Sequence, residues 1–392
     1  MLARSPRRHG GGMDRAPRPA GRTMIGIIGA TGMVGAAVAE RLHSAGFPIR
    51  LGGRRRSAIN HPTHADIEST QVDITDPVSL DAFCRNCSVV VNCAGPSYRI
   101  LDTVARAAFS NGAHYVDPAG DDPVYTRLEQ PPGPQRAAVV SAGLLPGVSA
   151  MIPSWLATRF DEPIRRLSCL AGGIAPLSDA AAADFLLSEE AGIGQPLADW
   201  SNHQRRTAAL RPIRQINLPF FPGSVSAFPY LPTELERVCH RYKVPEARWF
   251  NIFPAGQAEQ VIATLGPIPD TGLDDAVAQL RSAVVHDMQG QAPYHRIVVQ
   301  AATDAGEVRT TVLSCEDGYQ VTAFVTATVA TLVHSDQIPN GVYRAEDILD
   351  PSDIITSLHG LQGVSVIEIG PSLELIDPTQ AQTSTHEEEG EL

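Results

Sequence analysis

Short apolar runs alternate with segments of helical period along residues 24–150. The apolar runs predict six strands, over Ile25–Ile28, Ile49–Leu51, Ile67–Val72, Val89–Cys93, Ala113–Asp117 and Ala137–Ser141. Between them, Tyr98–Phe109 carries apolar residues at helical spacing, and Asp76-Pro77 has the form of an N-cap followed by proline at the first helical position. Strands separated by helical crossovers predict an α/β fold with a doubly wound parallel sheet of the Rossmann type.

Beyond Met151 the alternation stops, and the pattern predicts a second domain of the α+β class. Its predicted elements are a hairpin of His295–Thr303 with Val308–Glu316, helices over Asp179–Ala191, from Tyr319 and after Pro351, and a strand over Val364–Ile369. Asp179 is the expected N-cap of the first of these helices. The stretch from Arg211 to Thr233 is rich in proline and aromatic residues and suits no regular element. It is interpreted either as a lid over the crevice or as a loop packed on the second domain.

The sequence therefore divides into four parts. A dinucleotide-binding domain is expected over residues 24–150, and a substrate and dimerisation domain over residues 151–370. Residues 1–23 are rich in arginine and residues 371–392 end in an acidic stretch, so both segments are expected to be disordered. Because Met24 directly precedes the first strand, a chain that begins there is expected to fold and bind cofactor.

The turn after the first strand has the spacing Gly-x-x-Gly-x-x-Gly in the strand–turn–helix context of a dinucleotide fingerprint. Gly29 is expected to allow the tight turn, Gly32 to let a pyrophosphate approach the backbone, and Gly35 to let the helix pack on the sheet. The helix N-terminus offers N–H groups and a positive dipole end to the phosphates. The predicted cofactor contacts in this segment are Gly29, Thr31, Gly32, Met33, Val34 and Gly35.

The segment after the second strand distinguishes between the two nicotinamide cofactors. NAD-selective enzymes usually place an acidic residue there, whereas this chain has arginines at positions 54–56. A guanidinium can pair bidentately with a 2′-phosphate, so NADP, as NADPH, is predicted in preference to NAD, with Arg54 and Arg55 as its contacts. The alternative is a solvated basic loop. Asp73, after the third strand, is either an acceptor for the adenine amino group or a turn-forming aspartate.

The ends of strands four and five are expected near the nicotinamide. Small residues at Ala94 and Gly95, followed by Pro96, would let the backbone lie against the cofactor. The candidate proton donors at this end, and so the predicted catalytic residues, are Tyr98, Asp121 and Asp117. The alternatives to these catalytic roles are structural: the tyrosine would be packed against its neighbours, and the aspartate would cap a helix.

Charge, cysteine and lysine content argue against several other classes. The net charge of −12 argues against nucleic acid as a partner, and no apolar run reaches the length of a membrane span. The Cys84-x-x-Cys87 pair has neither a second such pair nor a histidine at ligand spacing, so no metal site is predicted. Lysine occurs only at Lys243, and the residue four positions earlier is Cys239. The chain therefore lacks the Tyr-x-x-x-Lys pair of short-chain dehydrogenases.

In combination, these motifs resemble those of the saccharopine dehydrogenase-like oxidoreductases. The resemblance covers residues 24–150 and rests on Gly29-Ala-Thr-Gly32-Met-Val-Gly35, the Gly-Arg-Arg after strand two, Asn92-Cys-Ala-Gly95-Pro96, Tyr115-Val-Asp117-Pro-Ala-Gly120-Asp121 and Ala142-Gly-Leu-Leu-Pro146-Gly147. It implies a Rossmann domain, a second α+β domain that completes the active site and often mediates dimerisation, and NAD(P)-dependent reduction of C=N or C=C bonds. A cytoplasmic protein that can form a homodimer is expected.

Three functions remain open on the sequence. The leading hypothesis is an NADPH-dependent reductase of an imine or amino-acid-derived C=N substrate, in a biosynthetic pathway of secondary metabolism. The second is a trans-acting enoyl reductase of a polyketide or lipid pathway, with a carrier-bound substrate. The third is a non-enzymatic NADP sensor. Arg205, Arg206 and Lys243 are candidates for holding a substrate carboxylate.

Overall fold

The computed structural model describes residues 24–55, 66–130, 135–188, 191–265, 270–369 and 376–379. The predictions made for residues 1–23, for Arg56 and for the rest of the C-terminal tail lie outside these ranges.

Strands and helices alternate in the first half of the chain and become mixed in the second half. In chain order the strands are β1 (Met24–Ile28), β2 (Ile49–Gly53), β3 (Ile67–Gln71), β4 (Cys87–Asn92), β5 (His114–Val116), β6 (Ala137–Val140), β7 (Ile164–Ile174), β8 (Gly194–Pro196), β9 (Asp199–Ser201), β10 (Gln204–Arg206), β11 (Ile213–Asn217), β12 (Ser224–Pro232), β13 (Glu246–Pro254), β14 (Tyr294–Thr303), β15 (Val308–Cys315), β16 (Gly341–Arg344) and β17 (Val364–Ile369). The α-helices are α1 (Met33–Ser44), α2 (Pro77–Cys84), α3 (Ser97–Ile100), α4 (Thr103–Ser110), α5 (Asp121–Glu129), α6 (Val148–Ala157), α7 (Asp179–Leu187), α8 (Thr233–Tyr242), α9 (Gln257–Thr264), α10 (Leu273–Asp287), α11 (Gly318–His334), α12 (Ala345–Ile348) and α13 (Pro351–Leu358).

The first sheet is parallel throughout and confirms the predicted doubly wound fold. Its strands lie in the order β3-β2-β1-β4-β5-β6-β16. The order reverses between β1 and β4, which is the point where open α/β sheets bind ligands. In β1 the side chains of Ile25, Ile27 and Ile28 are all buried, because helices cover both faces of a parallel sheet.

The C-terminal part of the chain returns to this sheet, which differs from the predicted domain division. β16 pairs in parallel with β6, so residues 341–344 complete the nucleotide-binding sheet. The predicted boundary at residue 150 falls inside α6, a helix buried along nearly its whole length. One apolar cluster joins residues of both halves, for example Val139 of β6 with Trp249 of β13. The two halves therefore share a core instead of meeting across a surface.

The second sheet is mixed and is flanked by helices, as expected of an α+β domain. Its main path is β10-β9-β13-β7-β14-β15-β17, with β12, β11 and β8 attached to one side. The predicted hairpin is confirmed as the antiparallel pair β14–β15. The predicted helix from Tyr319 is also confirmed as α11, whose buried residues run from Val321 to Val333.

Three local expectations in the second half were wrong. Residues 211–233 are neither a lid nor an irregular loop, since β11 and β12 within them pair antiparallel and β12 also pairs with β13. The N-cap of α7 is Ser178, whose hydroxyl accepts a hydrogen bond from the Ala181 N–H at 3.1 Å. Within the predicted acidic tail, Ile376 is buried and its carbonyl accepts a hydrogen bond from the Ser168 hydroxyl at 2.9 Å.

The predicted helix over residues 98–109 is interrupted in the structure. α3 ends at Ile100, and Leu101 has a φ of 50° before α4 begins at Thr103. This break separates the short helix that carries Tyr98 from the helix that packs on the sheet. Tyr98 is thereby placed at the crevice between the two halves of the molecule.

Candidate functional site

A cavity of about 1440 Å³ lies along the carboxyl ends of β1, β2, β3 and β4 and continues beneath the second sheet. Its first half is lined by the turns that follow these strands, and its second half by α7, α9, α10 and β13. Of the predicted cofactor contacts, those that line the cavity are Gly29, Thr31, Gly32, Met33, Val34, Arg54, Asp73, Ala94, Gly95 and Pro96.

The three glycines of the first turn have different surroundings. Gly29 has a φ of 78°, and a Cβ there would lie 2.6 Å from the carbonyl carbon of Cys93. A Cβ on Gly35 would lie 2.2 Å from the Gly29 carbonyl oxygen, which explains the close approach of helix and turn. Gly35 is buried under the turn and is not among the described residues that line the cavity. By contrast, a Cβ on Gly32 would meet only the Gly29 oxygen, at 3.2 Å, so the open side of Gly32 is available to a ligand.

The N-terminus of α1 is suited to a pyrophosphate. Its N-cap, Gly32, has no side chain to bond the N–H groups of the first turn, and that turn carries no acidic residue. Thr31, Met33 and Val34 line the cavity around it, and Met33 is 41% exposed. The free N–H groups and the positive end of the helix dipole would therefore face a bound anion.

The next two strand ends carry the residues predicted at the adenosine. Arg54 follows β2 and is exposed at the cavity, whereas the adjacent Arg55 is exposed outside it. The Asp73 carboxylate accepts hydrogen bonds from the Thr75 hydroxyl at 2.7 Å and the Thr75 N–H at 2.9 Å. These bonds, with a contribution from the charge of Arg54, lower the pKa of Asp73. Asp73 is therefore an ionised acceptor held in a turn.

At the switch point, the Gly95 turn is covered by α7 of the second half. A Cβ on Gly95 would lie 2.8 Å from the Cβ of Ala180. From the same helix, the Asp184 carboxylate accepts a hydrogen bond from the Ser97 N–H at 2.6 Å and another from the Tyr98 N–H. Burial raises the pKa of the Asp184 carboxyl to about 7, although these two bonds oppose the shift. The sequence analysis missed Asp184, whose only local signal is a single acid within an alanine-rich helix.

Tyr98 lies among acidic groups in the cavity. Burial raises the pKa of its phenol well above the usual value, and the nearby charges of Asp121 and Asp184 add to that effect. Tyr98 is therefore a neutral phenol near neutral pH. It can donate a hydrogen bond, but its raised pKa makes it a weak acid.

Asp117 belongs to a buried hydrogen-bond network. Its carboxylate accepts bonds from the Tyr115 hydroxyl at 2.5 Å, the Asn92 amide at 3.2 Å and the Ala119 N–H at 2.8 Å. Burial raises the pKa of Asp117, while these bonds oppose the rise. With three hydrogen bonds to its two oxygens, including one from the Tyr115 hydroxyl, Asp117 is better placed to orient the strand ends than to donate a proton.

Asp121 stands at the start of α5 and is 3% exposed. Its carboxylate lies 3.3 Å from the Ser141 hydroxyl and 3.5 Å from the Arg237 guanidinium. Burial raises the pKa of Asp121 to about 6, although Arg237 opposes the shift. Asp121, one of the predicted proton donors, is therefore protonated in a fraction of the molecules near neutral pH.

Glu234, in the first turn of α8, is a further acid of the cavity that the sequence analysis did not single out. It is 4% exposed and accepts hydrogen bonds from the Ser149 hydroxyl at 2.7 Å and the Gly147 N–H at 3.2 Å. Burial, followed by the charges of Asp121 and Glu346, raises the pKa of Glu234 to about 8. No local sequence signal could have found it, because its partners lie 85 and 87 positions earlier in the chain.

A network of ion pairs holds the acidic groups in place. Arg237 of α8 pairs with Asp122 at 2.9 Å and with Glu346 at 2.8 Å, and Arg344 of β16 also pairs with Asp122. Because Arg237 and Asp122 belong to different halves of the molecule, the network fixes α8 against the nucleotide-binding sheet.

The other predictions about charged and sulfur groups gave the following outcome. Arg205 pairs with Glu236 at 2.6 Å, and Arg206 pairs with Asp199 at 2.6 Å. Lys243 is the C-cap of α8. None of these three predicted carboxylate-binding residues lines the described cavity. Within the described ranges, no three metal-ligating side chains come together, and no helix is long and apolar enough to cross a membrane. Cys84 and Cys87 are buried thiols, and burial raises their pKa values to about 12 and about 11.

The fold and the cavity define a protein with a Rossmann-type dinucleotide-binding domain, whose strand ends line the cavity where such domains hold a dinucleotide. Residues 25–139 match the family model described as "Saccharopine dehydrogenase NADP binding domain". This match confirms NADP as the cofactor type, and it confirms the resemblance to saccharopine dehydrogenase-like oxidoreductases for the first domain.

Relatives and a solved structure extend the comparison. The chain is 31% identical over 119 residues to the "Lipid droplet localized protein" of Caenorhabditis elegans, covering 26% of this chain and 28% of that one. It is 28% identical over 124 residues to the human "Saccharopine dehydrogenase-like oxidoreductase", covering 26% and 29%. These matches therefore span less than a third of either relative. The fold resembles apo saccharopine dehydrogenase (L-Glu forming) from Saccharomyces cerevisiae, with a TM-score of 0.61, 14% identity, and coverage of 88% of this chain and 99% of that one.

Proposed function

We propose that the protein is an NADPH-dependent reductase of C=N bonds. The observation that carries this proposal is the group of buried acids that line the cavity, Asp117, Asp121, Asp184 and Glu234, which can supply a proton to a C=N nitrogen and, when ionised, face a cation. The protonated C=N group, which accepts hydride most readily, is a cation that carboxylates stabilise. The amine product is also a cation near neutral pH.

The described residues fit NADPH, which when bound supplies a hydride with its electron pair to the carbon of the C=N bond and is released as NADP⁺. The N-terminus of α1 would hold the pyrophosphate, Arg54 the 2′-phosphate, and the turn at Gly95 the nicotinamide end. One proton must reach the nitrogen as well, so that the C=N bond becomes a C–H and an N–H bond.

We assign the proton to the buried carboxyl groups. Glu234, with its pKa raised to about 8, is mostly protonated at neutral pH, and Asp121, with its pKa raised to about 6, is partly protonated. Both line the cavity, and both lie where water is largely excluded. Tyr98 would donate a hydrogen bond that positions the substrate nitrogen. This division of roles follows the rule that a general acid needs a pKa near the working pH.

The charge of the cavity argues against the second hypothesis. Hydride addition to an enoyl thioester places negative charge on the thioester oxygen, which needs hydrogen-bond donors or cations nearby. In their ionised form, Asp121 and Asp184 beside Tyr98 would oppose that charge. A protein that only sensed NADP would have no use for the part of the cavity beyond the nucleotide site.

The test is NADPH consumption with a cyclic imine, 2-methyl-1-pyrroline, and with an enoyl thioester, crotonyl-coenzyme A. We expect oxidation of NADPH with the imine only, and a large drop in kcat for the Glu234→Gln and Asp121→Asn variants with KM for NADPH unchanged. Turnover of the thioester alone would favour the enoyl reductase. Tight NADPH binding without turnover of either compound would favour the sensor.

Oligomeric state, pathway and cellular location are further proposals. A homodimer, a biosynthetic role and a cytoplasmic location follow from the resemblance and from the absence of an apolar span in the sequence. The name of the worm relative makes lipid droplets the alternative location. Light scattering of the purified protein and microscopy of a fluorescent fusion would test these proposals.

A further inference from the structure

The outer side of the cavity is a wall of three helices, α7, α9 and α10. Its described inner face is mostly apolar and includes Ala183, Phe185, Ile262, Val277, Ala278 and Val284. Along α10, Val277, Leu280 and Val284 recur at helical spacing, so one face of that helix lies along the cavity. These side chains belong to a hydrophobic cluster separate from the main core.

The polar groups of this apolar wall bond mainly to the wall itself. Asp287 at the end of α10 accepts hydrogen bonds from the Gln257 N–H at 2.9 Å and the Ala258 N–H at 2.8 Å, which ties α10 to the start of α9. Arg281 donates to the Leu177 carbonyl at 2.8 Å and pairs with Asp179, which ties α10 to the start of α7. The helices are thus held together at their ends, and the inner face between them is left apolar.

The described part of the apolar wall offers little to a substrate carboxylate. Its arginine, Arg281, is already bonded to Leu177 and Asp179. The other described arginine that lines the cavity outside the adenosine end, Arg99, lies beside Tyr98 in α3 and not on the wall. Burial lowers the pKa of His295 to about 4, so this histidine is neutral near pH 7. An anionic substrate would also meet Asp184, whose carboxyl group has a pKa raised to about 7 and repels an anion in its ionised form.

The size of the cavity is consistent with a bulky ligand besides the cofactor. Its volume of about 1440 Å³ exceeds the roughly 300–1,000 Å³ that is typical of a pocket for one drug-sized ligand. Trp249 and Phe253 of β13 also line the cavity, and the Phe253 ring packs edge-on against Phe185 of α7 with 5.8 Å between the ring centroids, so the second sheet adds apolar surface beside the wall.

We propose that the apolar wall of α7, α9 and α10 binds the hydrophobic body of the substrate, which is an imine bearing an alkyl chain or ring system and no free carboxylate. This inference rests on the proposed reductase function and adds the class of substrate to it. It departs from the amino-acid-derived substrate that the sequence favoured.

The experiment compares 2-alkyl-1-pyrrolines that carry methyl, butyl and octyl groups with 1-pyrroline-2-carboxylate, using the full chain and NADPH. We expect kcat/KM to rise along the alkyl series, by up to about fourfold for each buried methylene, and to be lowest for the carboxylate. Equal rates along the series, or a preference for the carboxylate, would overturn the inference while leaving the reductase function intact. If no imine is reduced, the reductase function fails, and the wall is then tested by calorimetric binding of 2-octylpyrrolidine, whose failure to bind would overturn the inference too.

Two tryptophan variants on α10 locate the subsite. Ala278→Trp adds bulk at a residue that lines the cavity, and Gln279→Trp adds the same bulk at an exposed neighbour outside it. We expect Ala278→Trp to lower kcat/KM for the octyl imine at least tenfold, and by a larger factor than it lowers kcat/KM for the methyl imine. The Gln279→Trp variant should behave like the unmodified protein. Equal effects of the two variants on the octyl imine would count against the wall as its binding site.

Discussion

At the scale of single residues, the buried acid Glu234 makes the stability of the protein depend on pH. Its pKa rises from an ordinary 4.5 to about 8 on folding, because burial disfavours the charged form. Between these values the folded protein binds more protons than the unfolded chain, so stability falls as pH rises, by at most about 1.4 kcal/mol per pH unit. The Glu234→Gln variant should lose part of this dependence, leaving the contributions of Asp184 and Asp121, which have the same sign.

Urea unfolding at several pH values between about 5 and 8 measures this effect. Glu40→Gln is the matched control, since Glu40 is exposed on α1. If the free energy of unfolding of the Glu234→Gln protein depends on pH as steeply as that of the unmodified protein, the Glu234 carboxyl does not have the raised pKa.

At the same scale, we expect Arg54 to govern cofactor choice. Removing its guanidinium in Arg54→Ala should raise KM for NADPH about 10- to 100-fold, the effect of losing a charge-assisted hydrogen bond of about 1.5–3 kcal/mol. KM for NADH should change little, because NADH has no 2′-phosphate. Arg55→Ala is the comparison, since Arg55 is exposed outside the described cavity and should have the smaller effect. Steady-state kinetics with both cofactors provide the measurement, and equal effects on NADPH and NADH would contradict the assignment.

At the scale of elements, the first turn and α1 form a unit whose glycines have separable roles. Gly35→Ala should destabilise the cofactor-free protein by about 1–3 kcal/mol, because the new Cβ would lie 2.2 Å from the Gly29 oxygen. Gly32→Ala should leave the cofactor-free stability nearly unchanged and weaken NADPH binding roughly tenfold, because its open side faces the cavity.

Thermal unfolding without cofactor and titration with NADPH separate the two glycine effects. If Gly32→Ala lowers the stability of the cofactor-free protein as much as Gly35→Ala does, both glycines serve packing and the turn is not a phosphate cradle.

Elements were predictable where the local pattern was strong. The glycine turn, the strands β1 to β6 and the β14–β15 hairpin follow from periodicity and turn chemistry, which act over a few residues. The hairpin of β11 and β12 was missed because its prolines and aromatics mask the alternation. Its pairing also depends on β13, which lies later in the chain.

At the scale of the whole molecule, the nucleotide-binding half depends on the C-terminal part of the chain. β16 covers the edge of β6, and α11 packs on α1 and β4, so a fragment of residues 24–150 would expose an unpaired strand and apolar surface. We expect this fragment to aggregate, whereas residues 24–379 should fold and bind NADPH. Soluble yield and cooperative thermal unfolding would test the expectation. A monomeric 24–150 fragment that binds NADPH would instead support the domain boundary predicted from the sequence.

The sequence by itself determined the doubly wound fold, the glycine turn after β1 and the preference for NADP. These features follow from residues close together in the chain, since a strand end, a turn and a helix N-terminus are local structures. Only the tertiary structure brought Asp184 to the Tyr98 turn, buried Glu234 beside Ser149, and gathered α7, α9 and α10 into an apolar wall. A carboxyl group acquires a raised pKa, and a cavity acquires its lining, from neighbours that are distant in sequence and that only folding places in contact.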